Sequence, residues 1–381
     1  MNVVFLGCTL NFGRDHNASN TKVKLIADGL TNAGANCYIH AGLLGSNCTS
    51  FDDETVVDGL PCVDYVRRGA VGIGEIKNFK RLVKYLNDHK SSDGYNIGIV
   101  ELPMLHTYIL YCLALRKCGY RIFTISHEWA PTLQSTGINK LSNFLYSKTF
   151  GYLADGILPI SEYIIEKIKH FRKPYLKVPA LADFESFDKI TPLSDYPYFL
   201  YCASAKYFRI VSWVINAFCE YRKTGGTYKL KMILSGNSQD LQRVLDYVSE
   251  KGIADSCIIL SRLDYETLQS HYKGASALLI PLDPETIQDS ARFPQKIAEY
   301  TASKKPMITS AVGEVNVYFD SRSAYLATYD YISYANAMIK IEKDALKARE
   351  TAEKAYSIGK ENFDIKATGY KLFNFLKSQY S

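Results

Sequence analysis

The strongest constraint in this sequence is a repeated order of short β-branched or aromatic runs and helical stretches. Asn2 to Leu6 is the first such run, and it leads into a loop, CTLNFGRDHNASN, rich in Asn with Gly and Ser. Helical spacing follows over roughly Thr21 to Ala33, ended by Gly34, and a second strand is expected at Cys37 to Ala41. Strand, helix and strand in that order form a βαβ unit, which builds a parallel sheet. Further strands are expected at Tyr95 to Glu101, Arg121 to Ser126 and Gly156 to Pro159. Helices are expected at His106 to Lys117, closed by Gly119, and at Glu162 to His170.

The run from Pro174 to Pro197 holds four prolines and has no clear period beyond a short KVPA strand, so it is expected to be a linker. A second alternating series then begins. Strands are expected at Tyr198 to Cys202, Lys229 to Ser235, Cys257 to Leu260, Ala277 to Pro281 and Pro306 to Ser310. The intervening helices are Val211 to Arg222, Leu241 to Lys251, Tyr265 to Lys273 and Pro294 to Ser303. From Ser333 the tail is helical, with a break near Gly359 to Asp364. The fold class expected is α/β, with two Rossmann-like domains facing each other across a cleft. Its boundaries are 1–176, a linker at 177–197, 198–360, and a C-terminal helix at 361–381. Open α/β sheets bind ligands beyond the carboxyl ends of their strands.

Composition supports two compact domains. The 381 residues are 47% hydrophobic and 22% charged, which excludes a long disordered tail, a collagen-like repeat or a fibrous coil. Nine cysteines with no C-x-x-C spacing fit a reducing cytosol better than a disulfide framework, and no His/Cys cluster suggests a structural zinc. Phe5-Leu6-Gly7-Cys8 loosely mimics a lipoprotein cleavage site, yet neither a charged leader nor a longer apolar stretch accompanies it. The most apolar window, Ile99 to Leu115, is interrupted by Glu101, Pro103 and His106 and is too broken to span a bilayer. A cytoplasmic protein is expected.

Formal net charge is +6, and residues 1–180 hold 20 basic against 15 acidic residues, so most of the excess lies there. Part of it is in Glu75 to Lys90, EIKNFKRLVKYLNDHK, where Ile76, Phe79, Leu82, Val83 and Leu86 recur at helical spacing among five basic residues. Such a helix either lies on an anionic membrane surface or packs on the sheet by its apolar stripe, and the second is the simpler reading. A pI of 8.6 is below the range of strongly basic nucleic-acid-binding domains.

Five segments carry a family resemblance. They are ADGILPISEYIIEKI, KVPALADFESF, the run from Tyr198 to Phe218, RLDYETLQSHYKGASALLIPL and RFPQKIAEYTASKKPMITS. In order and spacing they resemble nucleotide-sugar glycosyltransferases of the two-Rossmann-domain type (GT-B), most like the large retaining fourth family (glycosyl transferases group 1). The last segment is the most specific, matching the pattern FP.K..EY.a.gkP.i.s of the donor-site helix. The resemblance implies an N-terminal acceptor-binding domain, a C-terminal donor-binding domain and a C-terminal helix that returns to the first. It also implies a nucleoside-diphosphate sugar as donor and a carbohydrate or lipid-linked acceptor, as in cell-surface polysaccharide or lipopolysaccharide assembly. No cofactor is implied, and no nucleic-acid partner.

The chemistry of these residues agrees. A departing nucleoside diphosphate gains negative charge, which cationic side chains and a helix N-terminus can meet. No D-x-D triplet of the metal-binding type is present, so no metal is expected. Lys206 and Arg209 follow the Tyr198 to Cys202 strand at the mouth of the next helix. By resemblance, Arg209 stands where relatives carry a phosphate-binding Lys, and its fork suits phosphate oxygens. The plainer reading is a solvated pair at a helix start. Glu299 corresponds to the family Glu that accepts from the nucleotide ribose, a role that suits a carboxylate's two oxygens. Gly236, Arg262, Leu263, Phe293, Pro294 and Lys296 complete the donor side. Relatives place a second Glu where this chain has Ala291, and a Gly where it has Ser261; Asp283 and Asp289 are nearby acidic substitutes.

His127, at the end of IFTIS, corresponds to an active-site His of the family, and its neutral imidazole could hydrogen-bond the sugar. A satisfied structural His is the plainer alternative. Glu128 and Gly13 are the remaining acceptor-side candidates. Retention through a covalent intermediate would need a carboxylate nucleophile, and none stands out; the resemblance implies same-face attack, with the departing phosphate taking the acceptor proton. A sugar-nucleotide epimerase on the same fold and a non-catalytic nucleotide-binding relative are the competing readings.

Overall fold

The computed structural model describes residues 1–8, 18–41, 55–57, 59–64, 73–92, 94–101, 105–133 and 135–380. In chain order the first elements are β1 (Asn2–Cys8), α1 (Ala18–Asn32), β2 (Asn36–Ala41), β3 (Thr55–Val57), β4 (Leu60–Asp64), α2 (Ile73–Asp88) and β5 (Asn96–Val100). Next come α3 (Leu105–Lys117), β6 (Arg121–Ser126), α4 (Gly137–Leu153), β7 (Gly156–Pro159) and α5 (Glu162–Ile168). The second series opens with α6 (Phe184–Lys189), β8 (Tyr198–Ser204), α7 (Phe208–Lys223), β9 (Lys229–Ser235), α8 (Ser238–Glu250) and β10 (Cys257–Leu260). It continues with α9 (Tyr265–Gly274), β11 (Ala277–Ile280), α10 (Ile287–Ala291), α11 (Gln295–Ala302), β12 (Met307–Thr309), α12 (Val315–Tyr318) and β13 (Tyr325–Leu326). Three helices close the chain: α13 (Tyr331–Lys343), α14 (Ala345–Asn362) and α15 (Ile365–Ser378).

The chain divides into two compact units. The first comprises Met1–Leu181, Ala291–Gln295 and Ile365–Ser381, and the second Ala182–Ser290 and Lys296–Asp364. The expected linker therefore splits at Leu181. Its first part stays with the first unit because Leu176 N–H and Val178 N–H donate to Ile157 and Pro159 beside β7. Its later part opens the second unit and forms α6, where Asp183 caps the helix by accepting from Ser186 N–H. Residues 291–295 join the first unit through Ser161 Oγ, which donates to the Ala291 carbonyl at 2.6 Å, and through the Gln295 amide on the Leu181 carbonyl.

In the first unit the described strands form a seven-stranded sheet in the order β3-β4-β2-β1-β5-β6-β7, parallel except for the β3–β4 pair. Central β1 is buried throughout, as a strand covered on both faces requires. α15 packs on α1, where Gly29 and Gly369 bring the two backbones together. A Cβ on Gly369 would lie 2.4 Å from the Gly29 carbonyl carbon, so only glycine fits that crossing. α4 was not expected, and its composition explains why. Leu141, Phe144 and Leu145 are exposed while Tyr146 and Phe150 are buried, so apolar residues surround the helix and leave no stripe to recognise.

In the second unit all six strands are parallel, in the order β10-β9-β8-β11-β12-β13. α7 and α13 pack together on the sheet, and Phe199, Met232, Trp213, Phe218 and Tyr334 lie in their shared core. α7 begins three residues before the expected start, which places Arg209 inside its first turn. The short elements α6, α10, α12 and β13 escape sequence periodicity because none is long enough to show a period. Among the described residues no helix is long and apolar enough to cross a membrane.

Candidate active site

In the second unit every strand is parallel, so β8 to β12 end at one edge of the sheet, and most of the donor-side residues lie just beyond it. Lys206 and Arg209 flank the start of α7 and are exposed. The residue before α7, Tyr207, gives no side-chain cap; its carbonyl accepts from Ile210 and Val211 N–H, which leaves the Phe208 and Arg209 N–H groups of this 16-residue helix to meet an anion. Lys206 has no hydrogen bond or ion pair among the described residues. Arg209 Nη1 donates to Asp283 Oδ2 at 2.9 Å, which uses one of its five donors and fixes the guanidinium over the end of β11.

The two acidic substitutes are committed within their own loop. Asp283 is buried and accepts from Arg209 and from Glu285 N–H at 3.0 Å. Asp289, also buried, accepts from Asp283 N–H at 2.9 Å. At the neighbouring position Ala291 has a buried methyl, and its carbonyl is held by Ser161.

Glu299 is buried on α11 and accepts from Tyr265 Oη at 3.2 Å. Burial pushes its carboxyl up, and hydrogen bonds from Tyr265 and Tyr272 with the nearby Lys296 ammonium oppose that rise. Lys296 is half-buried on the same helix. Arg262 follows β10 with φ at +57°, a left-handed conformation that is uncommon for a residue with a side chain and costs about 1–3 kcal/mol. Leu263 beside it is half-buried. Gly236 follows β9, and a Cβ there would press on Ala205 Cβ at 3.2 Å, so glycine lets the loops after β8 and β9 approach. The contacts thus form two clusters, Arg209 with Asp283 and Asp289, and Glu299 with Tyr265, Tyr272 and Lys296. Lys206 touches neither among the described residues. Phe293, fully buried, and Pro294 belong to the first unit.

In the first unit the corresponding edge is differently built. His127 follows β6 and Glu101 follows β5; both are largely enclosed, and His127 Nδ1 lies 3.1 Å from Glu101 Oε1. A carboxylate only accepts, so Nδ1 donates and Nε2 keeps the lone pair. Burial pushes the His127 pKa down, Glu101 pulls it up and Lys22 pushes it down again. Lys22 of α1 is itself lowered by burial, against the pull of Glu101 and Glu128 and with the push of Arg292. Glu128 is exposed beside His127. Gly13 lies outside the described residues.

Glu101, Lys22 and Arg292 were not expected from sequence. Glu101 does carry a signal, since it is the charged residue that ends the apolar Ile97 to Val100 run. The basic helix α2 buries Leu82 and Leu86 and exposes Lys80, Arg81 and Lys84, so it is a surface helix packed by its stripe. Exposed apolar residues lie instead on the neighbouring helices α3 and α4. Leu113, Leu141, Phe144 and Tyr152 are each more than half exposed. Neither helix contains an Asp or Glu, and Arg116, Lys117, Lys140 and Lys148 lie among or beside these residues.

Comparison with known proteins bears on the second unit and on the fold. The family described as Glycosyl transferases group 1 matches residues 183–358, which begin and end within the second unit. No curated protein matches the chain. Among solved structures, sucrose-phosphate synthase from Thermosynechococcus elongatus is similar at 14% identity with a TM-score of 0.74, covering 100% of this chain and 99% of its own. The Anabaena protein HepE, solved with UDP and glucose, is similar at 11% identity with a TM-score of 0.71, covering 99% of each chain. The lipopolysaccharide outer core galactosyltransferase WaaB is similar at 15% identity with a TM-score of 0.67, covering 100% of both chains. At these identities the likeness is one of fold, and it extends over both units. Residues 183–358 thus carry the match to Glycosyl transferases group 1, and the whole length shares the GT-B fold of these solved structures.

Proposed function

We propose that the chain is a glycosyltransferase that moves a sugar from a nucleoside diphosphate to an acceptor hydroxyl with retention and without a metal ion. The observation that carries the reading is the uncapped start of α7, flanked by exposed Lys206 and Arg209 at the carboxyl edge of a parallel sheet. Fixed positive groups at that place lower the energy of a diphosphate as its bond to sugar breaks. Glu299 holds the ribose, and its enclosure strengthens those hydrogen bonds. The departing phosphate takes the acceptor proton, and His127, oriented by Glu101, hydrogen-bonds the sugar. HepE was solved with UDP, which makes a uridine nucleotide the first donor to try.

The acceptor is carried on lipid at the cytoplasmic membrane face, in assembly of a cell-surface polysaccharide or lipopolysaccharide. Support comes from the exposed apolar residues of α3 and α4, two helices that carry basic residues and no Asp or Glu, a pairing suited to an anionic bilayer. A thermal-shift panel of nucleoside diphosphates tests the donor half, since a ligand at 100 times its Kd stabilises by about 2.7 kcal/mol. Full donor turnover in Lys206→Ala and Glu299→Ala would refute the assignment. Sedimentation with anionic and neutral vesicles tests the membrane half, and Leu141→Ser with Phe144→Ser should release the protein from anionic vesicles.

A further inference from the structure

The second unit has a cavity of about 420 Å³ that the transfer reaction does not use. Tyr228, Ser276 and Pro306 line it, and they directly precede β9, β11 and β12. The cavity therefore opens at the amino edge of the sheet, whereas Lys206, Gly236 and Asp283 lie past its carboxyl edge. Strands of three to seven residues separate the two edges by roughly 10–23 Å at about 3.3 Å per residue.

Lys304, Lys305 and Arg349 line this cavity, Lys273 lies near Lys305, and two of these four cations are committed. Lys304 pairs with Asp188 at 3.1 Å and lies over the Tyr356 ring, and Lys273 donates to the Phe187 and Asp188 carbonyls at 2.8 and 3.3 Å. Lys305 and Arg349, both lining the cavity, have no hydrogen bond or ion pair among the described residues. Lys305 is half-buried, and its ammonium is pushed below its ordinary pKa by burial and by neighbouring Lys273. A half-buried ammonium facing other cations is costly unless an anion joins it. Asp188 is occupied by Lys304 and by Tyr356, whose hydroxyl donates at 3.0 Å. Glu353, at the exposed rim, acts on Lys304. The remaining wall is apolar, with Pro306, Ile341 and Ala348, and suits the organic part of a ligand.

We infer that this cavity binds a small soluble phosphate ester, its phosphate held by Lys305 and Arg349. The site is separate from the donor cradle and does not depend on the reaction proposed above.

The test is calorimetric titration of the full chain with inorganic phosphate at fixed ionic strength, in a Lys206→Ala/Arg209→Ala background that removes the donor cradle. Saturable binding is expected to persist there and to weaken about tenfold or more on Lys305→Gln, the loss of a charge-assisted bond. Arg349→Gln, at an exposed position, should weaken it as well, with the melting temperature of each variant confirming the fold. No saturable binding in the background protein, or affinity unchanged by both further substitutions, would overturn the site. Phosphatidic acid vesicles form a second arm. Sedimentation that is lost on Lys305→Gln would assign the cavity to a lipid headgroup and overturn the soluble ester. Donor turnover is a separate readout, so its failure would leave this result standing.

Discussion

The two units share one architecture and treat charge in opposite ways. At the carboxyl edge of the first sheet, Glu101 holds His127, while Lys22 and Arg292 add opposing charge close by. At the carboxyl edge of the second, Lys206 and Arg209 stand exposed beside a helix start that lacks a side-chain cap. The first edge is arranged to hold an imidazole neutral and oriented. The second leaves positive charge available to a ligand. The same parallel sheet thus supports orientation in one unit and anion capture in the other, and loop residues make the difference.

The largest effect should come from the exposed half. Lys206→Ala with Arg209→Ala is expected to lower donor turnover roughly 10²–10³-fold, in the range seen when donors to a developing negative charge are removed. Steady-state rates with the preferred nucleotide sugar check this, and a change below threefold would erase the contrast between the two edges.

A stability test addresses the first unit's aversion to buried charge. His40 is fully buried on β2 and its pKa is pushed down to about 4 by burial, from an ordinary 6.5. The unfolded chain therefore binds the proton first as pH falls through 6.5, and the folded state loses stability down to about pH 4. The contribution is on the order of 3 kcal/mol between neutral pH and pH 4. Urea unfolding across that window should show the decline, and His40→Gln should flatten it.

Gly369→Ala should destabilise the protein by about 1–3 kcal/mol, because the added Cβ meets the Gly29 backbone and α15 must shift. Denaturant midpoints measure it. The smallest effect concerns the paired histidine. Glu101 raises the His127 pKa, so Glu101→Gln should move the acid limb of the kcat profile to lower pH. It should also lower kcat about tenfold, the loss of one charge-assisted hydrogen bond. An unmoved acid limb would show that His127 does not titrate in the reaction.

Much of the fold was legible because its strands are short apolar runs and most of its long helices keep an apolar stripe. The second series reads most clearly, and Lys206, Gly236 and Arg262 are easily placed because they follow strands whose ends are visible in sequence. The first unit hid more. α4 has apolar residues on all sides, and β3 and β4 exist by pairing rather than by pattern. Glu101 was visible only as a strand-end charge until β5 and β6 paired and brought it to His127.

The alternating order of elements, the parallel sheets they require and the cations beside α7 were set by the sequence alone, since each depends on neighbours a few positions apart. Tertiary structure decided which charges meet. Arg209 and Asp283 are 74 positions apart, and Ser161 and Ala291 are 130. It also decided which apolar residues of α3 and α4 remain exposed, because burial depends on what packs against a helix, and no local period encodes that.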